Sequence, residues 1–147
     1  MDERFKLSSV SPDGYRIVKE LDRYCGNSLD PAIKDLISLR ASLINGCTFC
    51  VDQHSVDLQR DGMHVRKIFS VTTWRESPFF NEIERTALEL TEAITNISEG
   101  VTDELWSRAR SVFNEQELGD IILAIGSINI LNRIGVSTHL QPPALDC

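Results

Sequence analysis

The chain has 147 residues, 41% hydrophobic and 25% charged, which suits one globular domain with a single core. Its formal net charge is −7, and Lys and Arg are scattered without a basic stripe, which argues against a nucleic-acid surface. The N-terminal MDERFKLSSV lacks the apolar core of a secretory signal, so a cytoplasmic location is expected.

The pattern is helical almost throughout. Ser11-Pro12 pairs an N-cap with proline at the first helical position, and Tyr15, Val18, Leu21 and Cys25 recur at helical spacing until Gly26. Asp30-Pro31 repeats the start signal, and Ile33, Leu36, Ile37, Leu43 and Ile44 form the face of a helix reaching Gly46. A third helix is predicted from Cys47–Cys50 to Asp61-Gly62, with Gly62 past its end. A short segment, His64 to Val71, follows, and Thr72 to Phe80 reads as a loop around Pro78.

Asn81 with Glu84 resembles a capping box, and Ile83, Ala87, Leu90, Ile94 and Ile97 then keep helical spacing until Gly100. Glu82, Glu84, Glu89 and Glu92 read as its solvated face. Thr102 opens another helix with Leu105, Ala109, Val112 and Phe113 as apolar positions. The last is predicted from about Asn114 to Ile134, stopped by Gly135, with an extended tail after it.

This last helix is apolar on most of its circumference and must be buried, in part against another subunit. Asp120, Asn129 and Asn132 interrupt it, and its apolar run falls short of the roughly 20 residues of a membrane span. With no strand, repeat or linker in view, the expectation is a single all-α domain over residues 1–147. It has six or seven helices, a core of about 30–134, homo-oligomeric assembly and no membrane contact.

The chemistry concentrates in Cys47-Thr48-Phe49-Cys50 and His54. On a helix, Cys50 and His54 are i and i+4 neighbours, and Cys47 lies within disulfide reach of Cys50. An imidazole, a helix N-terminus and a carboxylate behind the imidazole would favour the Cys50 thiolate. A thiolate attacks the O–O bond of a peroxide to give a sulfenic acid, which a second thiol resolves as a disulfide. Asp35, on the preceding helix with Leu39 and Ser42, is the candidate acid to orient His54.

Blander readings stand beside this one. Asp35 alone suits a solvated helix surface, and two nearby cysteines can be packed and inert. A zinc site of Cys47, Cys50, His54 and His64 has spacings outside the usual finger patterns, so no metal is predicted. A thioredoxin-like fold needs a βαβ pattern that is not visible. Without a Gly-rich phosphate loop, no nucleotide or other cofactor is expected. Cys25 reads as a packed thiol, Cys147 as exposed, Trp74 and Trp106 as core or interface aromatics, and His139 has no evident partner.

The run from Asp35 through Cys47, Cys50 and His54 resembles the core motif of alkylhydroperoxidase D-like proteins in the carboxymuconolactone decarboxylase superfamily. The resemblance extends over Glu84–Glu92, Val101–Glu104 and Ile128–Arg133, covering roughly Asp30 to Arg133. It implies an all-helical trimer or hexamer. It further implies that Cys50 is the peroxidatic thiol, Cys47 the resolving thiol, His54 the base, and the carboxylate of Asp35 the end of a proton relay.

The implied activity is reduction of alkyl hydroperoxides by an external dithiol, from a lipoyl group or a thioredoxin-like protein. Two departures stand out. Asp35 occupies a position usually held by Glu, one methylene longer, leaving a gap that a bridging water would fill. Phe49 stands where the founding peroxidases carry His. The alternatives are a non-catalytic redox sensor or oligomeric interaction protein, and, behind these, a decarboxylase-like enzyme on a small carboxylated substrate.

Overall fold

The structure is a computed structural model and describes residues 2–146. Among these, eight α-helices follow one another with no strand. They are α1 (Leu7–Val10), α2 (Pro12–Ser28), α3 (Pro31–Asn45), α4 (Thr48–Arg60), α5 (Val65–Phe69), α6 (Glu82–Thr95), α7 (Asp103–Val112) and α8 (Glu115–Thr138). Short 3₁₀ turns lie at Ser70–Thr73 and Ile97–Glu99. The all-α expectation holds with one helix more than predicted. The addition is α1, a single turn too short for periodicity to announce.

Local chemistry accounts for most of the boundaries. The Asp30 carboxylate accepts from the Ala32 and Ile33 N–H groups at 3.0 and 3.2 Å, and Pro31 follows at the first helical position. Gly46 closes α3 with φ 69°, a left-handed conformation that disfavours other side chains. Asn81 and Asn114 each form a reciprocal capping box, with Glu84 and Glu117.

Three predicted stops differ. The chain stays helical through Gly26 to Ser28, where Pro31 holds the preceding residue out of the helical region. The sixth helix ends at Thr95, ahead of the 3₁₀ turn before Gly100. Helix α8 runs through Gly135 to Thr138 and closes at His139, whose φ is 56°, so only the tail beyond it is non-helical.

Helix α3 is the axis of the bundle. It packs against α4, α6 and α8 and buries Ile33, Leu36, Ile37, Leu39 and Ala41, together with Asp35, Ser38 and Ser42. Helix α8 forms one wall. At 24 residues it is long and apolar enough to cross a membrane, contrary to the reading of Leu118–Ile134 as too short. In the bundle it buries Ile121, Ile125, Asp120 and Asn132. It is not buried all round, because Ile122, Leu123, Ile130 and Val136 are exposed in this chain.

Of the acids of α6, Glu82 is solvated and Glu89 partly so, but Glu84 and Glu92 are not. Glu84 is buried and accepts from Lys67 Nζ at 2.7 Å. Glu92 accepts from Trp74 Nε1 at 2.7 Å, Arg40 Nε at 2.9 Å and Arg75 Nη1 at 2.5 Å. Burial works to raise the Glu92 carboxyl, but these hydrogen bonds and the Arg40 charge outweigh it and hold it below the ordinary value. Trp74 is therefore a core aromatic, whereas Trp106 lies at the surface. Ile83 and Ile97, placed on the apolar face by spacing, are exposed.

A polar network ties α3 to α8 beneath the CxxC turn. Asn132, fully buried, donates to Ser42 Oγ at 2.9 Å and accepts from Asn45 Nδ2 at 3.0 Å. Asn45 also donates to Asn129 Oδ1 at 3.0 Å, and Asn129 donates to Thr95 Oγ1 at 3.1 Å. Removing one member of a buried network strands the others. Asn132→Ala is expected to lower unfolding free energy in urea by about 2 kcal/mol, and Asn129→Ala, only half-buried, by less.

Candidate active site

The turn after α3 delivers Cys47 as the N-cap of α4, and Cys50 sits in its first turn. Cys47 and Cys50 are joined as a disulfide with a Cα–Cα distance of 5.3 Å. Both are buried, at 2% and 5% exposure. The helix N-terminus places positive backbone potential beside Cys50, which favours its thiolate once the bond is reduced.

His54 follows one turn later on the same face of α4. Its Nδ1 lies 3.2 Å from Asp35 Oδ1, with both residues about nine-tenths buried. A carboxylate oxygen accepts, so in the tautomer that makes this hydrogen bond Nδ1–H donates to Asp35 and Nε2 is left without a proton. The contact is direct, and the gap expected from the shorter Asp side chain does not occur. Among the described residues, no hydrogen bond joins the His54 ring to either sulfur. His54 and Cys50 meet instead as neighbours lining one cavity.

That cavity has a volume of about 360 Å³. Its apolar side comprises Phe49 of α4, Ile128, Leu131 and Ile134 of α8, and Leu140. Its polar side comprises Tyr15, Lys19 and Asp22 of α2, Lys34 of α3, and Gln53 and Asp57 of α4. Lys34 Nζ pairs with Asp22 Oδ1 at 2.9 Å. Burial works to raise the Asp22 carboxyl, but the Lys34 hydrogen bond and charge, with Lys19 beyond, hold it below its ordinary value.

All four residues singled out from the sequence, Asp35, Cys47, Cys50 and His54, come together here. Asp57 and the Lys34–Asp22 pair were missed. Asp57 follows His54 by three residues and Cys50 by seven, so helical spacing alone could have found it. It accepts from Arg60 Nη1 at 2.9 Å and from Gln53 Nε2 at 3.1 Å. Asp35, His54 and Asp57 each present a ligand-type atom within 4.8 Å of the others, so these three residues could approach a cation.

The remaining candidates stand apart. His64 caps α5, accepting from the Arg66 N–H, and does not line the cavity, which separates it from the CxxC pair. His139 closes α8. Cys25 is a free, fully buried thiol; burial and then the Asp22 charge push it up, away from reactivity. Cys147 lies outside the described residues.

The chain belongs to the carboxymuconolactone decarboxylase family, whose sequence model matches residues 12–93. It is 35% identical over 139 residues to YdfG, an uncharacterised protein of Bacillus subtilis strain 168, covering 93% of this chain and 95% of that one. Among solved structures, it is similar to a protein of unknown function from Agrobacterium tumefaciens described as a candidate antioxidant defence protein AhpD. That likeness has a TM-score of 0.95 and 38% identity, and covers 98% of this chain and all of the other. The debrominase Bmp8 shares the fold, with a TM-score of 0.83 and 22% identity over 92% of this chain and 74% of its own.

The Asp22 carboxyl is depressed in the folded state, so its contribution to stability is full above the unfolded carboxylate range. It fades as pH falls through the folded value, below the ordinary 3.8. Asp22→Asn is therefore expected to be less stable than wild type near neutrality, with the gap closing below about pH 4 in chemical denaturation.

Proposed function

We propose that this protein is a thiol-dependent peroxidase that reduces organic hydroperoxides through a Cys47–Cys50 dithiol–disulfide cycle. One observation carries the reading. Cys50, one sulfur of the pair, opens on a cavity it shares with an imidazole that a buried carboxylate orients. The likeness to the Agrobacterium protein supports the antioxidant side of the proposal.

In the first half-reaction, His54 takes the Cys50 proton and the thiolate attacks the distal peroxide oxygen. The O–O bond breaks, Cys50 becomes a sulfenic acid, and the alkoxide leaves as alcohol with the proton returned by His54. Asp35 holds the ring in the tautomer that leaves Nε2 basic and stabilises the imidazolium between these transfers.

The Cys47 thiol then attacks the Cys50 sulfur, expelling water and closing the disulfide. An external dithiol, such as a lipoyl group or a thioredoxin-like protein, supplies two electrons and two protons to reopen it. The chemistry needs no bound cofactor and suits a reducing, cytoplasmic setting. The apolar wall of Phe49, Ile128, Leu131 and Ile134 favours a hydroperoxide with a hydrocarbon body over hydrogen peroxide. The exposed Ile122, Leu123 and Ile130 of α8 suit burial in a homo-oligomer, a trimer or hexamer.

The test compares consumption of cumene hydroperoxide and hydrogen peroxide with excess dihydrolipoamide. Cys50→Ser is expected to abolish turnover, whereas Cys47→Ser should stop after one sulfenic acid per chain; full activity in Cys50→Ser would sink the proposal. Asp35→Asn, which keeps shape but loses the charge, should lower kcat/KM by about 10²-fold or more. A disulfide that forms without sustained peroxide consumption would point to the redox-sensor alternative.

A further inference from the structure

Gly135 lies inside α8, three residues before its end. Its backbone is ordinary helix, since the positive φ values of glycine in this chain fall at Gly46, Gly62 and Gly100. No local conformation calls for glycine there, and glycine weakens a helix interior relative to alanine. The reason lies across the helix interface. A Cβ built at Gly135 would meet Cys47 Sγ at 2.7 Å and Cys50 Sγ at 3.7 Å. The disulfide therefore rests on bare α8 backbone. The other glycines of α8, Gly119 and Gly126, have nothing within 4 Å of the same position.

The two redox states differ in how they would meet an added methyl group. As a thiol, Cys47 Sγ is the free end of a side chain with other staggered χ1 rotamers open to it in principle. As a disulfide it is tied to Cys50, which is itself set in the first turn of α4, and that rotation is lost. We propose that Gly135 is a positioning residue for the thiol–disulfide couple: its missing side chain is the space Cys47 Sγ must occupy for the Cys47–Cys50 bond to close. Gly135 touches neither peroxide nor reductant and acts through Cys47. The inference rests on the dithiol–disulfide half of the proposed function and not on the peroxide half.

The test uses the whole chain without peroxide. Wild type, Gly135→Ala and Gly126→Ala are equilibrated in dithiothreitol redox buffers, alkylated, and read by mass spectrometry. Each reduction takes two electrons and two protons from one dithiothreitol, which cyclises to its own disulfide, and leaves Cys47 and Cys50 as thiols.

Gly135→Ala should shift the equilibrium constant toward the dithiol by about tenfold or more, in keeping with one methyl added to a packed contact. Gly126→Ala should stay within about twofold. A constant for Gly135→Ala equal to wild type would overturn the inference. Should Gly135→Ala fail to fold, the double variant with Cys47→Ala decides: recovery of thermal stability supports the contact, and none overturns it. Wild type that exchanges its disulfide but never consumes peroxide would defeat the peroxidase reading and leave this one standing.

Discussion

A carboxylate in the wall of the central helix has to find a partner. Asp35 sits on α3, the helix that packs against α4, α6 and α8, and burial without a partner would cost several kcal/mol or drive its protonation. His54 meets that need from α4. The same contact joins α4 to the central helix one turn after Cys50. What ties the two helices together and what orients the His54 ring are one interaction.

The polar groups around α3 follow the same logic at other positions. Glu92 gathers Arg40, Trp74 and Arg75, tying α3 and the segment after α5 to α6. Asn132 links Ser42 and Asn45 to α8. Apart from the exposed Arg75, both sets are buried or half-buried, and in both one acceptor or amide serves several partners, so that a low-dielectric interior makes each geometry specific. The CxxC turn is held from two sides, by the α3–α8 amide network beneath it and by the bare backbone of Gly135 against its sulfurs.

The cavity combines an apolar wall from α8 with charged pairs from α2 and α3. Lys34 pairs with Asp22 within the lining, and Asp57 pairs with Arg60 outside it. Cys50 and His54 line the same cavity, with Asp35 behind the imidazole. Cys25, equally buried but beside the negative charge of Asp22 and without a base, shows how the same side chain becomes inert.

Much was legible in the sequence because it is local. Apolar spacing, the Asp30-Pro31 cap, the Asn81 capping box and the i, i+4 relation of Cys50 to His54 depend on backbone geometry within a few residues. Those determined seven of the eight helices and three of the four site residues as a unit. Asp35 was named, but its contact with His54 rests on how α3 and α4 pack. The apparent solvated face of Glu84 and Glu92, and the reading of Gly135 as a helix stop, failed for the same reason. A side chain's partner across an interface depends on the angle and separation of helices distant in sequence. The chain alone determined which residues could do thiol chemistry. Only tertiary packing decided that Asp35 reaches His54, that Glu92 is clamped, and that Gly135 is glycine because a sulfur from another helix occupies the place of its side chain.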